Sequence, residues 1–219
     1  MRSGLQHPLL ASLGVEHAFG TRADPVREDV VRPVQVHGVT VARVLGGQRA
    51  QPTQADAIVS DQPGQAVGVV TADCVPLLAA GPEGRVVAAI HAGWRGLAQG
   101  VIESGLRALS KQAGAHPEGV VFGPHIGSCC YEVDEPVLAA LEARFGAAAV
   151  DRATKASRPD HSMLSLASLV EAELDALGVA RSRWGRVAGC TQCQPRDFHS
   201  YRRDGERAGR LQHFIRTCG

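Results

Sequence analysis

Hydrophobic positions along the chain fall into short apolar runs punctuated by glycine and proline, and into three stretches where they recur at helical spacing. The runs Ala66 to Val70, Val75 to Ala80 and Val86 to Ile90 follow one another, and Gly81-Pro82-Glu83-Gly84 supplies turn chemistry between the last two. Such a pattern predicts two strands that pair antiparallel, with Cys74 and His91 at comparable distances from the turn and facing each other. Val34 to Val44 alternates loosely around His37, as a strand with one buried face does. Further strands are expected at the end of Leu5 to Thr21, at Ala55 to Val59, at Val120 to Phe122, and in pieces after Trp184 that finish in Leu211 to Ile215.

Leu97, Val101, Ile102, Leu106 and Leu109 share one helical face between Gly96 and Gly114, which predicts a single helix beginning directly after His91-Ala92-Gly93-Trp94-Arg95-Gly96. Its free N–H groups and positive dipole end would then adjoin His91. Asp134 is placed to cap a second helix, with Pro136 in its first turn and Val137, Leu138, Leu141 and Phe145 on one face. A third runs from Leu166 through Leu177 and stops at Gly178. Arg22 to Arg32, Gly46 to Gln54, Gly146 to His161 and the basic Ser200-Tyr201-Arg202-Arg203-Asp204-Gly205 read as loops.

Composition narrows the classes without choosing among them. The 219 residues suffice for one domain with a sizeable core, and a formal net charge of +1 provides no global field for nucleic acid or an anionic membrane. No apolar run approaches the roughly 20 residues that span a bilayer, and the start lacks the pattern of a secretory leader. A cytosolic, cytoplasmic protein is expected, and a monomer, because no exposed apolar stripe stands out. The six cysteines are too few and too irregular for a disulfide scaffold. Adjacent Cys129 and Cys130, and the Cys190-x-x-Cys193 pair, read as buried or half-buried free thiols, with a redox role or a second metal as the alternative.

Candidate chemistry gathers at the ends of the central strands. His37, Cys74 and His91 are two imidazoles and a thiol that could hold zinc, and three protein ligands leave a fourth position open, as catalytic zinc sites do. Zinc there would lower the pKa of water to about 7. Asp73 is a candidate to shuttle protons if the strand ends or bulges beside Cys74. The same residues without metal form a thiol nucleophile, Cys74, with His91 as its base. Arg95, Arg202 and Arg203 could bind an anion by paired hydrogen bonds or could form a solvated face. Trp94 reads as core or as a stacking wall, and His125 as a pocket residue or an ordinary hydrogen-bonded histidine.

Four motifs sharpen these alternatives: Thr71-Ala72-Asp73-Cys74-Val75-Pro76, His91-Ala92-Gly93-Trp94-Arg95-Gly96, Gly123-Pro124-His125-Ile126-Gly127-Ser128-Cys129-Cys130-Tyr131-Glu132-Val133 and Ser200-Tyr201-Arg202-Arg203-Asp204-Gly205. In that order, over about His17 to Arg210, the chain resembles the YfiH-like family, whose members are labelled laccase-domain protein, polyphenol oxidase or purine nucleoside phosphorylase. The resemblance implies an α+β fold of mixed β-sheets flanked by helices, a layered α/β/β/α arrangement in one domain over residues 1–219. It implies zinc held by His37, Cys74 and His91, with catalysis at Cys74, Asp73 and Arg95 and substrate contacts from Gln35, His125, Arg202 and Arg203.

The implied activities are phosphorolysis of adenosine, inosine, guanosine and methylthioadenosine, and deamination of adenosine to inosine. Small purine nucleosides and phosphate, not nucleic acid or membrane, are then the partners. Alternatives are a cysteine or zinc hydrolase editing a peptidoglycan-precursor amide, a copper polyphenol oxidase, and a non-catalytic protein with a structural zinc. Copper oxidation needs more histidine ligands than this set, so copper fits less well than zinc. Family members usually carry a longer segment between the Phe-x-Thr-Arg element and Gln-Val-His-Gly. Here residues 22–34 are short and lack its Gly-Gly-Val-Ser stretch, so a substrate wall built there is missing or replaced.

Overall fold

The computed structural model describes residues 4–44 and 53–218. In chain order these form α1 (Pro8–Ala11), β1 (Glu16–Phe19), β2 (Val30–Val31), β3 (Val41–Arg43), β4 (Ala57–Ser60), β5 (Ala66–Thr71), β6 (Val75–Ala80) and β7 (Val87–Ala92). There follow α2 (Trp94–Gln99), α3 (Val101–Ala113), β8 (Gly119–Phe122), β9 (Glu132–Asp134), α4 (Glu135–Phe145), α5 (Ala147–Ala153), β10 (Thr154–Ala156), β11 (His161–Leu164), α6 (Leu166–Ala176), β12 (Trp184–Arg186), α7 (Tyr201–Asp204) and β13 (Leu211–Arg216).

Three sheets result, ordered β12-β8-β6-β7-β4-β3, β1-β13-β5-β2 and β10-β11-β9. The six-stranded sheet is the middle layer, and its alternation shows why its strands are apolar throughout. Leu77, Ala79, Ala88 and Ile90 point into a core shared with the helices, where Leu106, Leu109, Leu169 and Leu174 lie. Their neighbours Leu78, Ala80, Val87 and Ala89 point the other way, into a core with Val67, Val69 and Ile215 of the four-stranded sheet. A strand buried on both faces needs no polar side, so its sequence is a continuous apolar run. Arg144 of α4 ties the helical layer together by reaching Glu103 of α3 at 2.6 Å and the nearly buried Glu173 of α6 at 2.7 Å.

The central hairpin forms as expected, with Pro76 opposite His91 and Val75 opposite Ala92. Several other elements differ from the sequence expectation. The single helix after Gly96 is two helices, because Gly100 adopts φ 87° and both ends α2 and precedes α3. The long helix dipole therefore begins at Val101, beyond the site, and α2 contributes only six residues. The strand expected over Val34 to Val44 shrinks to β3, and His37 sits in a loop before it. Gly146 to His161 is not simply loop: it holds α5 and β10, and β10 pairs with β11. Asp134 occupies the N-cap of α4 but makes no side-chain capping bond. Arg22 to Arg32 contains β2, which pairs with β5, and Ser200 to Gly205 contains the single turn α7. The loop expected over Gly46 to Gln54 lies outside the described residues as far as residue 52.

Candidate metal centre

The crossover from the four-stranded to the six-stranded sheet creates the site. β5 ends at Thr71 and β6 begins at Val75, so residues 72–74 must carry the chain from one sheet to the next. Asp73 makes this turn with φ 96°, and His37 across the site has φ 62°; both are left-handed conformations that cost a non-glycine residue about 1–3 kcal/mol. Each is held by hydrogen bonds. The Asp73 carboxylate accepts from the Thr191 hydroxyl and from the Arg202 N–H, both at 2.6 Å, and its carbonyl accepts from the Ile126 N–H at 2.9 Å. With both oxygens engaged, Asp73 anchors this turn.

His37 is held by Asp56, a residue that sequence reasoning placed in a strand without assigning it a role. Asp56 is fully buried. Its Oδ1 accepts from the His37 N–H at 2.9 Å and from His91 Nδ1 at 2.8 Å, while Oδ2 accepts from the Val36 and Gly38 N–H groups at 3.2 and 2.7 Å. Burial works against this charge, but the His91 imidazole and the three backbone donors outweigh it and lower the Asp56 pKa. Holding a proton on His91 Nδ1 makes Nε2 the nitrogen that would give up its proton to a metal ion, the arrangement by which carboxylates orient metal-binding imidazoles.

One donor atom from each of His37, Cys74 and His91 lies within 4.8 Å of the others. The two imidazoles meet edge to face at 4.8 Å, and His37 Nε2 is 3.9 Å from Cys74 Sγ. Gly93 leaves room for them: a Cβ there would stand 2.9 Å from Cys74 Sγ and 3.0 Å from His37 Cδ2. Burial would raise the Cys74 thiol, yet His37 and His91 beside it bring it down to about 7. Burial likewise disfavours charge on His91, but Asp56 and Cys74 raise it to about 9. A thiol readily ionised between two imidazoles, one oriented by a buried carboxylate, fits a metal ion with an N₂S donor set.

The remaining predicted residues divide. Arg202 donates to the Glu132 carbonyl at 2.9 Å and lies over the Tyr131 ring at 5.1 Å. Together with Trp94 and Tyr131 it lines a cavity of about 270 Å³. Exposed Arg95 stacks on Trp94 at 4.4 Å, so Trp94 is a wall of this cavity, not core. Burial, and then the Cys74 charge, push Tyr131 well above the usual phenol range, which keeps it protonated. Arg203 points elsewhere: it donates to the Thr191, Gln192 and Phe198 carbonyls and pairs with Asp204. Gln35 clamps Val70 with both ends of its amide, at 2.8 and 2.7 Å, and so ties the His37 loop to β5. His125 bonds the Gly123 carbonyl at 2.8 Å and lines a separate cavity of about 230 Å³ with Arg186 and Cys190.

Comparison with known proteins agrees with this architecture. Residues 16–218 match the family described as multi-copper polyphenol oxidoreductase laccase. The chain is 40% identical over 197 residues to the purine nucleoside phosphorylase SCO2081 of Streptomyces coelicolor, covering 88% of this chain and 76% of that one. It is 35% identical over 230 residues to the purine nucleoside phosphorylase YfiH of Escherichia coli, covering 97% and 89%. Among solved structures, the hypothetical protein YfiH of Bacillus licheniformis superposes with a TM-score of 0.79 at 28% identity, over 86% of this chain and 74% of that one. YlmD of Geobacillus stearothermophilus gives 0.77 at 29%, over 88% and 74%. With the fold, the ordered motifs and these relatives in agreement, the chain belongs to the YfiH family of laccase-domain proteins.

Proposed function

We propose that this protein is a zinc-dependent purine nucleoside phosphorylase acting on adenosine, inosine, guanosine and methylthioadenosine, with deamination of adenosine as a second activity. The observation that carries the proposal is the convergence of His37, Cys74 and His91 within 4.8 Å beside a cavity that offers both aromatic rings and arginine. Phosphorolysis joins a phosphate oxygen to the anomeric carbon, breaks the bond from that carbon to the base, and returns a proton to the departing base.

Zinc held by the three ligands would supply a Lewis acid at this centre. Trp94 and Tyr131 offer flat faces for the purine. Arg202, positioned by the Glu132 carbonyl, and exposed Arg95, stacked on Trp94, supply positive charge for phosphate. Protonated Tyr131 is a donor available to the base. At about 270 Å³ the cavity sits near the lower end of small-molecule sites, about 300–1,000 Å³, which suits a nucleoside better than a large substrate.

The fit to several coppers is poorer. Among the described residues only one metal-capable group contains histidine, while His125, His161 and His213 bond Gly123, Pro159 and Thr71. The test is purified, zinc-loaded protein incubated with each nucleoside and phosphate, with ribose 1-phosphate and free base measured by chromatography. Turnover that His37→Ala, Cys74→Ala and His91→Ala abolish together with the zinc bound at this centre is expected. Zinc-replete protein that leaves all four nucleosides unchanged refutes the proposal.

The readily ionised Cys74 thiol favours one second reading, a cysteine hydrolase acting on an amide. Activity that survives chelation and disappears on alkylation of Cys74 would select it.

A further inference from the structure

A second cluster lies outside the centre described above. Cys129, Cys130, Cys190 and Cys193 come from two segments some 60 residues apart in sequence, and their four sulfurs lie within 4.8 Å of one another. Neighbouring pairs are closer: 3.6 Å for Cys129 and Cys190, 3.4 Å for Cys129 and Cys193, and 3.2 Å for Cys130 and Cys193. Four thiolates around one zinc at about 2.3 Å form a tetrahedron with edges of about 3.8 Å, so these separations are close to those of a single mononuclear ion. An iron–sulfur cluster instead distributes its four cysteines over two or four irons, which calls for sulfurs spread more widely. We infer that these four cysteines form a structural all-thiolate site for one zinc ion, separate from the His37–Cys74–His91 centre and taking no chemical part in the reaction assigned to it.

The backbone around the cluster is built for such a site. The turn after Gly127 is closed by the Cys130 and Tyr131 N–H groups, which donate to the Gly127 carbonyl at 2.9 and 3.0 Å and bring two adjacent cysteines to one place. In the facing segment the Gln194 N–H donates to the Cys190 carbonyl at 3.1 Å, closing the Cys-x-x-Cys turn. The Gly127 N–H donates to Cys190 Sγ at 3.3 Å, the kind of contact that orients and stabilises a metal-bound thiolate. A Cβ on Gly127 would stand 3.2 Å from Cys129 Sγ and 3.4 Å from Cys190 Sγ, so only glycine leaves the sulfurs their full space. Binding releases the thiol protons and fastens residues 127–130 to residues 190–193.

This fastening reaches the first centre through Thr191. Thr191 sits inside the Cys-x-x-Cys turn and donates to Asp73, the residue that shapes the approach to Cys74. Zinc here therefore braces the turn that carries Cys74 without touching substrate.

The test is metal content of the full chain, produced with zinc and purified under reducing conditions. About two zinc ions per chain are expected, one for each four-coordinate site. Cys190→Ser with Cys193→Ser should lose one and keep the other, and His37→Ala with His91→Ala should do the reverse. Cadmium-113 exchanged into the unmodified chain should give two resonances, one at the position of an all-sulfur site, which removes dependence on the variants folding. One zinc per chain that the cysteine variant retains, a single cadmium resonance, or a mass of the unreduced protein showing these four cysteines joined as disulfides would each overturn the assignment.

Discussion

Replacing Asp56 by Asn separates the role of its charge from that of its shape. Asp56 accepts four hydrogen bonds, two on each oxygen, and is fully buried. Asparagine is nearly isosteric but turns an NH₂ toward one of the two pairs. If that group replaces Oδ2, the Val36 and Gly38 N–H groups face a donor. If it replaces Oδ1, the His37 N–H loses its acceptor and His91 can satisfy the amide only by moving its proton to Nε2, the nitrogen needed for metal. At about 1–3 kcal/mol for each stranded buried donor, the loss is about 2–6 kcal/mol in the first orientation. Loss of the orienting carboxylate should also weaken metal binding about 10–100-fold, or about 1.4–2.7 kcal/mol. Urea unfolding of metal-free protein reads the first quantity, and zinc competition against a chelator of known affinity reads the second. An unchanged unfolding midpoint together with zinc affinity within about twofold of the parent, well below that range, would refute the assignment of Asp56 as the residue that holds both histidines.

Other consequences can be measured separately. Gly93→Ala should reduce zinc affinity about tenfold, as expected when ligand placement is disturbed, because its Cβ would stand 2.9 Å from Cys74 Sγ; equal affinity by chelator competition would count against it. Arg202→Ala should raise the KM for phosphate at least tenfold, about 1.4 kcal/mol for a charge-assisted contact, whereas Arg203→Ala, which removes bonds to three backbone carbonyls, should chiefly lower the unfolding temperature. His213 is fully buried, and burial pushes its pKa down to about 3 from 6.5. Its folded pKa lies below its unfolded one, so its contribution is complete above pH 6.5 and is lost as pH falls toward 3, at most about 5 kcal/mol. Urea titrations from pH 7 to 4 should show this slope and lose it in His213→Gln.

How much was legible in the sequence depended on whether a feature was local. Cys74 and His91 could be placed because the Gly81 to Gly84 turn sets their register, and β6 and β7 pair accordingly. Gly100 concealed a helix break, since the apolar spacing runs through it from Leu97 to Leu106 without a change of phase. Asp56 left one signal, an ionisable residue inside an apolar strand that must find partners when buried, but nothing nearby names Val36, Gly38 and His91 as those partners. Adjacent Arg202 and Arg203 are indistinguishable by composition. Only the turn of α7 sends one side chain to the Trp94 cavity and the other to the 191–198 loop. β10 and β11 were hidden because strands of three and four residues are too short for an alternating pattern to show.

Strand β13 lies between β1 and β5 in the four-stranded sheet, although both are encoded long before it. On the ribosome, β1 and β5 must therefore wait with a gap between them while the helices and the six-stranded sheet are being made. When β13 emerges it fills that gap and brings His213 to Thr71, at 2.9 Å, two residues before Asp73. Until then the segment leading into Cys74 lacks one wall, so a nascent chain stalled before Leu211 should engage chaperones and resist zinc loading even though every candidate ligand has already been translated.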